Sequence, residues 1–175
     1  MKRLILLRHA KAVSDRPGLE DRDRVLADRG RADAIRVGHF LREENCVPQA
    51  VLCSPAARTH ETFDLILPQL VPPPWVKFVD ELYLARWLTI HSLVRKTAKA
   101  VDALMVVGHN PGLEDCARKL ARPPGDAHGR RLHEALRQKF PTGAVAVLDF
   151  DAADWSGVEA GEGELEFFTT PKDFD

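Results

Sequence analysis

Leu4, Ile5, Leu6 and Leu7 form an unbroken apolar run that stops at once in Arg8 and His9. A run this short, without alternation, is the pattern of a strand buried on both faces, and such strands belong to parallel sheets covered by helices. The pattern recurs. Ala50-Val51-Leu52-Cys53 is a second run, ended by Ser54, and Ala103-Leu104-Met105-Val106-Val107 is a third, ended by Gly108 and His109. In open α/β sheets the carboxyl edge of the strands is where ligands bind. Arg8 and His9 there suit an anion with an imidazole in reach. A basic strand end that merely keeps the edge soluble would look the same.

Between these runs the spacing predicts helices. One starts near Asp28, as its cap, and ends near Asn45, with Ala34, Val37 and Leu41 on one face and Phe40 beside it. Ser54-Pro55 reads as a cap followed by the first helical residue, and Asn110-Pro111 repeats that grammar. Phe63, Ile66, Leu67 and Leu70 form the face of the helix after Ser54, which Pro68 ends or kinks. Further helices are expected over residues 87–99, 111–120 and 132–138. Further strands are expected over 76–79, 145–150 and 164–169. Strand alternating with helix predicts an α/β fold, a three-layer α/β/α sandwich with a mostly parallel central sheet. At 175 residues one domain, 1–175, is expected.

Charge excludes some functions. The formal net charge is -1, so no global basic field recruits nucleic acid. Cys46, Cys53 and Cys116 lack framework or zinc spacing, and Cys53 reads as a buried thiol. His39, His91, His128 and His133 show no metal-ligand spacing and are read as bystanders, and His60, two residues after Arg58, reads more simply as an exposed helical residue than as one bordering a site. No metal or other cofactor is expected. The apolar run after Met1-Lys2-Arg3 is too short for a signal peptide, and no stretch approaches membrane-spanning length. The expectation is a cytoplasmic protein without a membrane partner. The charged cluster over residues 20–24 reads as a solvated loop, and Trp75, Trp87 and Trp155 as packing anchors.

If the three buried strands are neighbours, Arg8, His9, Ser54, Arg58 and His109 meet in one crevice with two helix N-termini. Free N–H donors and two guanidinium forks suit phosphate. One imidazole can attack phosphorus as a nucleophile, while Arg8, Arg58 and His109 stabilise the transferring group. Nearby cations keep His9 neutral and able to attack. Lys11 and Ser14 follow the first strand closely enough to touch substrate.

Leu7-Arg8-His9-Ala10 resembles the R-H-G signature of the histidine phosphatase superfamily, which includes phosphoglycerate mutases. Ser54-Pro55-Ala56-Ala57-Arg58 is similar to its S-P-x-x-R segment, and Gly108-His109 to its G-H strand end. More narrowly, Arg8-His9-Ala10-Lys11, Gly108-His109-Asn110-Pro111-Gly112-Leu113-Glu114 and Thr170-Pro171-Lys172-Asp173-Phe174 resemble small SixA-type phosphohistidine phosphatases. Ala10 departs from the usual Gly, and Lys11 stands where mutase-like members often carry Glu. The resemblance implies a phosphoglycerate mutase-like fold and a phosphorylated nucleophile at His9. Arg8, Arg58 and His109 would complete a metal-free phosphate pocket. It also implies Glu81 as a candidate general acid, since larger members carry a carboxylate after the third strand. Those members place a helical cap between that point and the Ala103 strand, where this chain has little room for one. An open pocket implies a phosphorylated His-containing protein as substrate. A small phosphorylated substrate, or a phosphate-binding module without turnover, remain alternatives, and the oligomeric state is not legible.

Overall fold

Leu4 and Leu6 send their side chains to one face of the sheet and Ile5 and Leu7 to the other, and all are fully buried. Each such burial contributes about 2 kcal/mol relative to exposure, so this strand is anchored from both sides. In the computed structural model, which describes residues 1–174, it is β1 (Lys2–Arg8). The other strands are β2 (Ala50–Cys53), β3 (Trp75–Phe78), β4 (Ala103–Gly108), β5 (Val145–Phe150) and β6 (Glu164–Thr169). They form one sheet in the order β3-β2-β4-β1-β5-β6. β3, β2, β4 and β1 are mutually parallel, β5 runs antiparallel to β1, and β6 antiparallel to β5.

Helices α1 (Asp28–Glu43) and α2 (Ala57–Ile66) cover one face, where Val37, Leu41, Phe63 and Ile66 pack on Ile5, Leu7, Met105 and Val107. Helices α3 (Trp87–Arg95), α4 (Gly112–Leu120) and α5 (Ala127–Gln138) cover the other, where Ile90, Leu113, Leu120 and Leu136 pack on Leu4, Leu6, Leu104 and Val106. The three-layer arrangement with a mostly parallel sheet is the expected one. Register then positions the site. Cys53 pairs with Val107, Leu7 pairs with Val107 from the other side, and Arg8 pairs with Gly108. The residues just past β1, β2 and β4 therefore leave one edge at one level.

Several local expectations are corrected. α1 has no side-chain cap: Asp28 is its first residue and pairs with Arg31 at 3.0 Å. Asn45 lies beyond its end with φ 54°. α3 stops at Arg95 rather than 99, because the next turn serves buried Lys2, whose Nζ donates to the carbonyls of Lys99 (2.6 Å) and Val101 (2.9 Å). α5 starts five residues before the expected 132, set by Asp126, whose carboxylate accepts from Gly129 N at 2.7 Å. β3 is an exposed edge strand shifted by one residue, and Trp75 on it is half exposed instead of anchoring the core. Trp155 does anchor the core, fully buried with its Nε1 donating to Val101 O at 2.7 Å. Among the described residues no helix is long and apolar enough to cross a membrane.

Candidate active site

His9 leaves β1 directly above the core and is 93 % hidden from solvent, with 7 % exposed. Its Nδ1 lies 2.8 Å from the Ala10 carbonyl. A carbonyl only accepts, so Nδ1 carries the hydrogen and Nε2 keeps its lone pair. Arg58 Nε points at that lone pair from 3.3 Å. The Arg58 Nη2 reaches His109 Nδ1 at 3.4 Å. A guanidinium only donates, so His109 Nδ1 is the acceptor and Nε2–H donates to Ser54 Oγ at 2.7 Å. The two imidazole rings stand 5.3 Å apart, centroid to centroid.

Ser54 is therefore not the cap of α2. That helix begins at Ala57 without a side-chain cap, and the Ser54 hydroxyl is spent on His109. Asn110 likewise lies one residue before the N-cap position of α4. Its Oδ1 accepts from Glu114 N at 3.3 Å, while its Nδ2 donates to Glu114 (3.0 Å) and to the Phe140 carbonyl (2.8 Å). Both polar groups brace the site.

A cavity of about 340 Å³ opens here, and Arg8, His9, Arg58, His109, Lys11 and Asn110 are among its lining. Arg8 donates from Nη1 to the Phe140 carbonyl at 2.9 Å. Its buried Nε finds no acceptor among the described residues. Burial lowers the Arg8 guanidinium, the Glu114 carboxylate opposes that, and Arg58 adds to it. Burial also pushes His9 down to about 4; the Ala10 carbonyl opposes this, and the Arg58 and Arg8 cations add to it. Burial, with His9 and Arg58 nearby, pushes His109 down to about 3. Both rings are neutral at pH 7. A cavity lined by guanidiniums and neutral imidazoles is built to receive an anion with several oxygens.

The structure thus brings together Arg8, His9, Arg58 and His109 from three strand ends. It does not bring Glu81 or Ser14, both of which are exposed and outside the lining of the cavity. Glu81 sits in a short 3-10 turn, Asp80–Leu82, that buries Leu82 in the core and leaves the preceding carboxylate in solvent. Of that region, Tyr83 touches the side chains of the site and Leu84 lines the cavity. The Tyr83 hydroxyl donates to Asp21, and its ring meets His109 edge-on at 5.5 Å.

Asp21 belongs to the charged cluster whose sequence predicts a solvated loop, and the structure places it in the site instead. Its backbone carbonyl accepts from Arg58 Nη1 at 2.7 Å, and its Oδ2 from Arg58 Nη2 at 3.1 Å. Its Oδ1 takes Arg24 Nη2 at 2.8 Å, and Asp21 and Arg24 both line the cavity. Tyr83 and the two arginines hold the Asp21 carboxyl far below the usual range, against the cost of desolvation. The i, i+3 spacing of Asp21 and Arg24 was the available signal. Nothing local told it apart from any solvated charge pair. Lys11 lines the cavity, as its position after β1 suggested. Cys53 is buried, and burial raises its thiol, as expected of an inert core cysteine.

The family model described as "Histidine phosphatase superfamily (branch 1)" matches residues 4–110. An uncharacterized protein of Mycobacterium tuberculosis is 35% identical over 167 residues, 95% of this chain and 100% of its own. Among solved structures, one from Nakamurella multipartitia, named as a candidate phosphohistidine phosphatase SixA, superposes with a TM-score of 0.83 at 28% identity. It covers 97% of this chain and 96% of its own. One from Agrobacterium tumefaciens, named the same way, gives 0.79 at 32% identity over 97% of this chain and 98% of its own. The fold is that of the phosphoglycerate mutase-like histidine phosphatases. With its strand-end histidines and arginines in place and most of β1 to β4 inside the matched span, the chain belongs to branch 1 of the histidine phosphatase superfamily and is of the SixA type.

Proposed function

We propose that this phosphatase hydrolyses phosphohistidine on a protein substrate through a phosphorylated His9. One observation carries the reading: Arg58 Nε lies 3.3 Å from the lone-pair nitrogen of a neutral, buried His9, with His109 beyond the same guanidinium. The attacking nitrogen and the donors for the transferring oxygens share one small cavity.

In the first step His9 Nε2 bonds to phosphorus and the P–N bond of the substrate breaks. A substrate ring already protonated on its other nitrogen leaves as neutral imidazole, so no acid from the enzyme is required. The proton stays on His9 Nδ1, hydrogen-bonded to the Ala10 carbonyl, and the phosphorylated ring carries one positive charge. In the second step water bonds to phosphorus, the P–Nε2 bond breaks, and dihydrogen phosphate and neutral His9 result. Arg8 and Arg58 hold the phosphoryl oxygens in both steps, and His109 Nδ1 accepts from Arg58 Nη2 beside them.

Support for a protein substrate comes from the β3–β4 connection. Its helix α3 packs on the core through Ile90 and Val94, and of this connection only Leu84 lines the cavity. A phosphorylated side chain standing out from a folded partner fits such an opening. Support for a metal-independent reaction comes from the lining itself, since two guanidiniums oppose a divalent cation.

The test is rapid quenching during turnover. An acid-labile, base-stable phosphoryl group should map to residue 9, and His9→Ala should lose both label and activity. EDTA should leave the rate unchanged, and a phosphohistidine protein should be turned over faster than sugar phosphates. Active turnover without label at His9 would refute the mechanism; the reverse substrate ranking would refute the protein substrate.

A further inference from the structure

A groove of about 760 Å³ adjoins the active-site cavity and shares Lys11 and Thr142 with it. It follows α1. Arg29 in the first turn and Glu44 just past the last one both line it, a separation of about 22 Å at the helical rise. Its apolar lining includes Phe40, Phe167, Phe168 and Pro171, with the Phe40 and Phe167 rings edge to face at 5.8 Å.

Positive side chains line the groove, and one of them also lines the cavity. Lys11 borders both, and Arg29 adjoins it, since a Cβ on neighbouring Gly30 would sit 2.0 Å from the Lys11 carbonyl oxygen. Lys139 precedes Phe140, whose carbonyl accepts from Arg8. Lys172 follows Pro171, which packs on Gly143, and Gly143 N donates to the His9 carbonyl at 3.0 Å. Lys11, Lys139 and Lys172 are exposed and make no ion pair among the described residues.

The lining carries four cations, Lys11, Arg29, Lys139 and Lys172, against three carboxylates, Asp33, Glu44 and Asp173. Asp173 is taken up by Thr170 N at 2.6 Å and by the Thr169 and Thr170 hydroxyls. Asp33 pairs with Arg36 at 2.6 Å and lies 4.0 Å from Arg29. Glu44 stands at the far end.

We propose that this groove seats the stretch of substrate protein flanking its phosphohistidine, and that acidic side chains there pair with Lys11, Lys139 and Lys172. The inference rests on the phosphohistidine reading above and adds a sequence preference to it. The span accommodates about six residues of extended chain. Exposed pairs of this kind steer association and set preference more than they add affinity.

The experiment uses the full chain and phosphohistidine peptides identical except for glutamate, glutamine or lysine flanks, with free phosphohistidine as the flank-free reference. Expected is a kcat/KM about tenfold higher for glutamate than for lysine flanks at low salt, shrinking as added salt screens the charges. In a Lys139→Glu/Lys172→Glu variant the ranking should invert when each peptide is expressed relative to free phosphohistidine. Equal turnover of all three peptides overturns the groove assignment while leaving the phosphohistidine activity standing. Failure to hydrolyse any phosphohistidine compound, with phosphate esters still turned over, overturns both.

Discussion

Asp21 holds Arg58 twice, its backbone carbonyl taking Nη1 at 2.7 Å and its carboxylate taking Nη2 at 3.1 Å. Arg58 is almost fully buried, while the Asp21 side chain is partly exposed. The loop that carries Asp21 is pinned in turn, by the Ala12–Leu26 bridge and by Arg24 Nη1 on the Val13 carbonyl at 2.8 Å. A guanidinium fastened at its far end can present Nε to His9 without searching for its position.

Asp21→Asn keeps the backbone acceptor and removes the charge that holds Nη2. Loosening a positioned group by an ångström costs about 10²-fold in rate. The expected outcome is a kcat/KM loss approaching that size, with the His9 phosphoenzyme still trappable because the nucleophile is intact. Steady-state kinetics beside quench-flow trapping check it. An unchanged kcat/KM would remove Asp21 from the positioning of Arg58.

Protonation of the two active-site rings should be resisted deep into acid. Both are lowered from 6.5, His9 to about 4 and His109 to about 3. The imidazole resonances of His9 and His109 should therefore stay at their neutral positions at pH 5 and shift only below it. Stability follows the same sign. In the unfolded chain both rings take up protons near 6.5, which the folded state refuses, so each proton favours unfolding. Stability is unaffected by these rings above 6.5 and falls as pH drops toward 4 and then 3. Thermal unfolding of wild type and His109→Gln across that window should converge at the acid end.

Ser54→Ala tests the tautomer of His109. Without the hydroxyl, the Nε2 hydrogen loses its acceptor and the ring its orientation. A hydrogen bond worth about 1.4 kcal/mol corresponds to about tenfold in rate. A kcat loss of that order with little change in KM is expected, and Ser54→Thr, which restores a hydroxyl, should recover part of it. Loss of fold without rescue would point to packing, since Ser54 is fully buried.

Gly112 opens α4 against the loop before α3. A Cβ there would lie 1.9 Å from the Ala85 carbonyl oxygen, a backbone atom that cannot swing away. Gly112→Ala should lower the urea midpoint by the equivalent of about 3 kcal/mol. The same change at exposed Gly125, where a Cβ meets nothing within 4 Å, should leave the midpoint in place.

The apolar runs at residues 4–7, 50–53 and 103–107 determined a parallel sheet and the edge where chemistry would sit, because burying both faces of a strand leaves few other solutions. That carried His9, Arg8, Arg58 and His109 into one neighbourhood before any coordinate was known. Distance along the chain hid the rest. Asp21 meets Arg58 across 37 residues, and Tyr83 meets Asp21 across 62. No local pattern encodes such pairs, so Asp21 reads from the sequence as part of a solvated loop, while the resemblance offers Glu81 as a candidate acid that the fold leaves exposed and outside the cavity lining. Which polar group caps a helix and which braces an imidazole was also decided late. Ser54 has the chemistry for either, and only the approach of β4 beside β2 placed His109 where the hydroxyl was worth more.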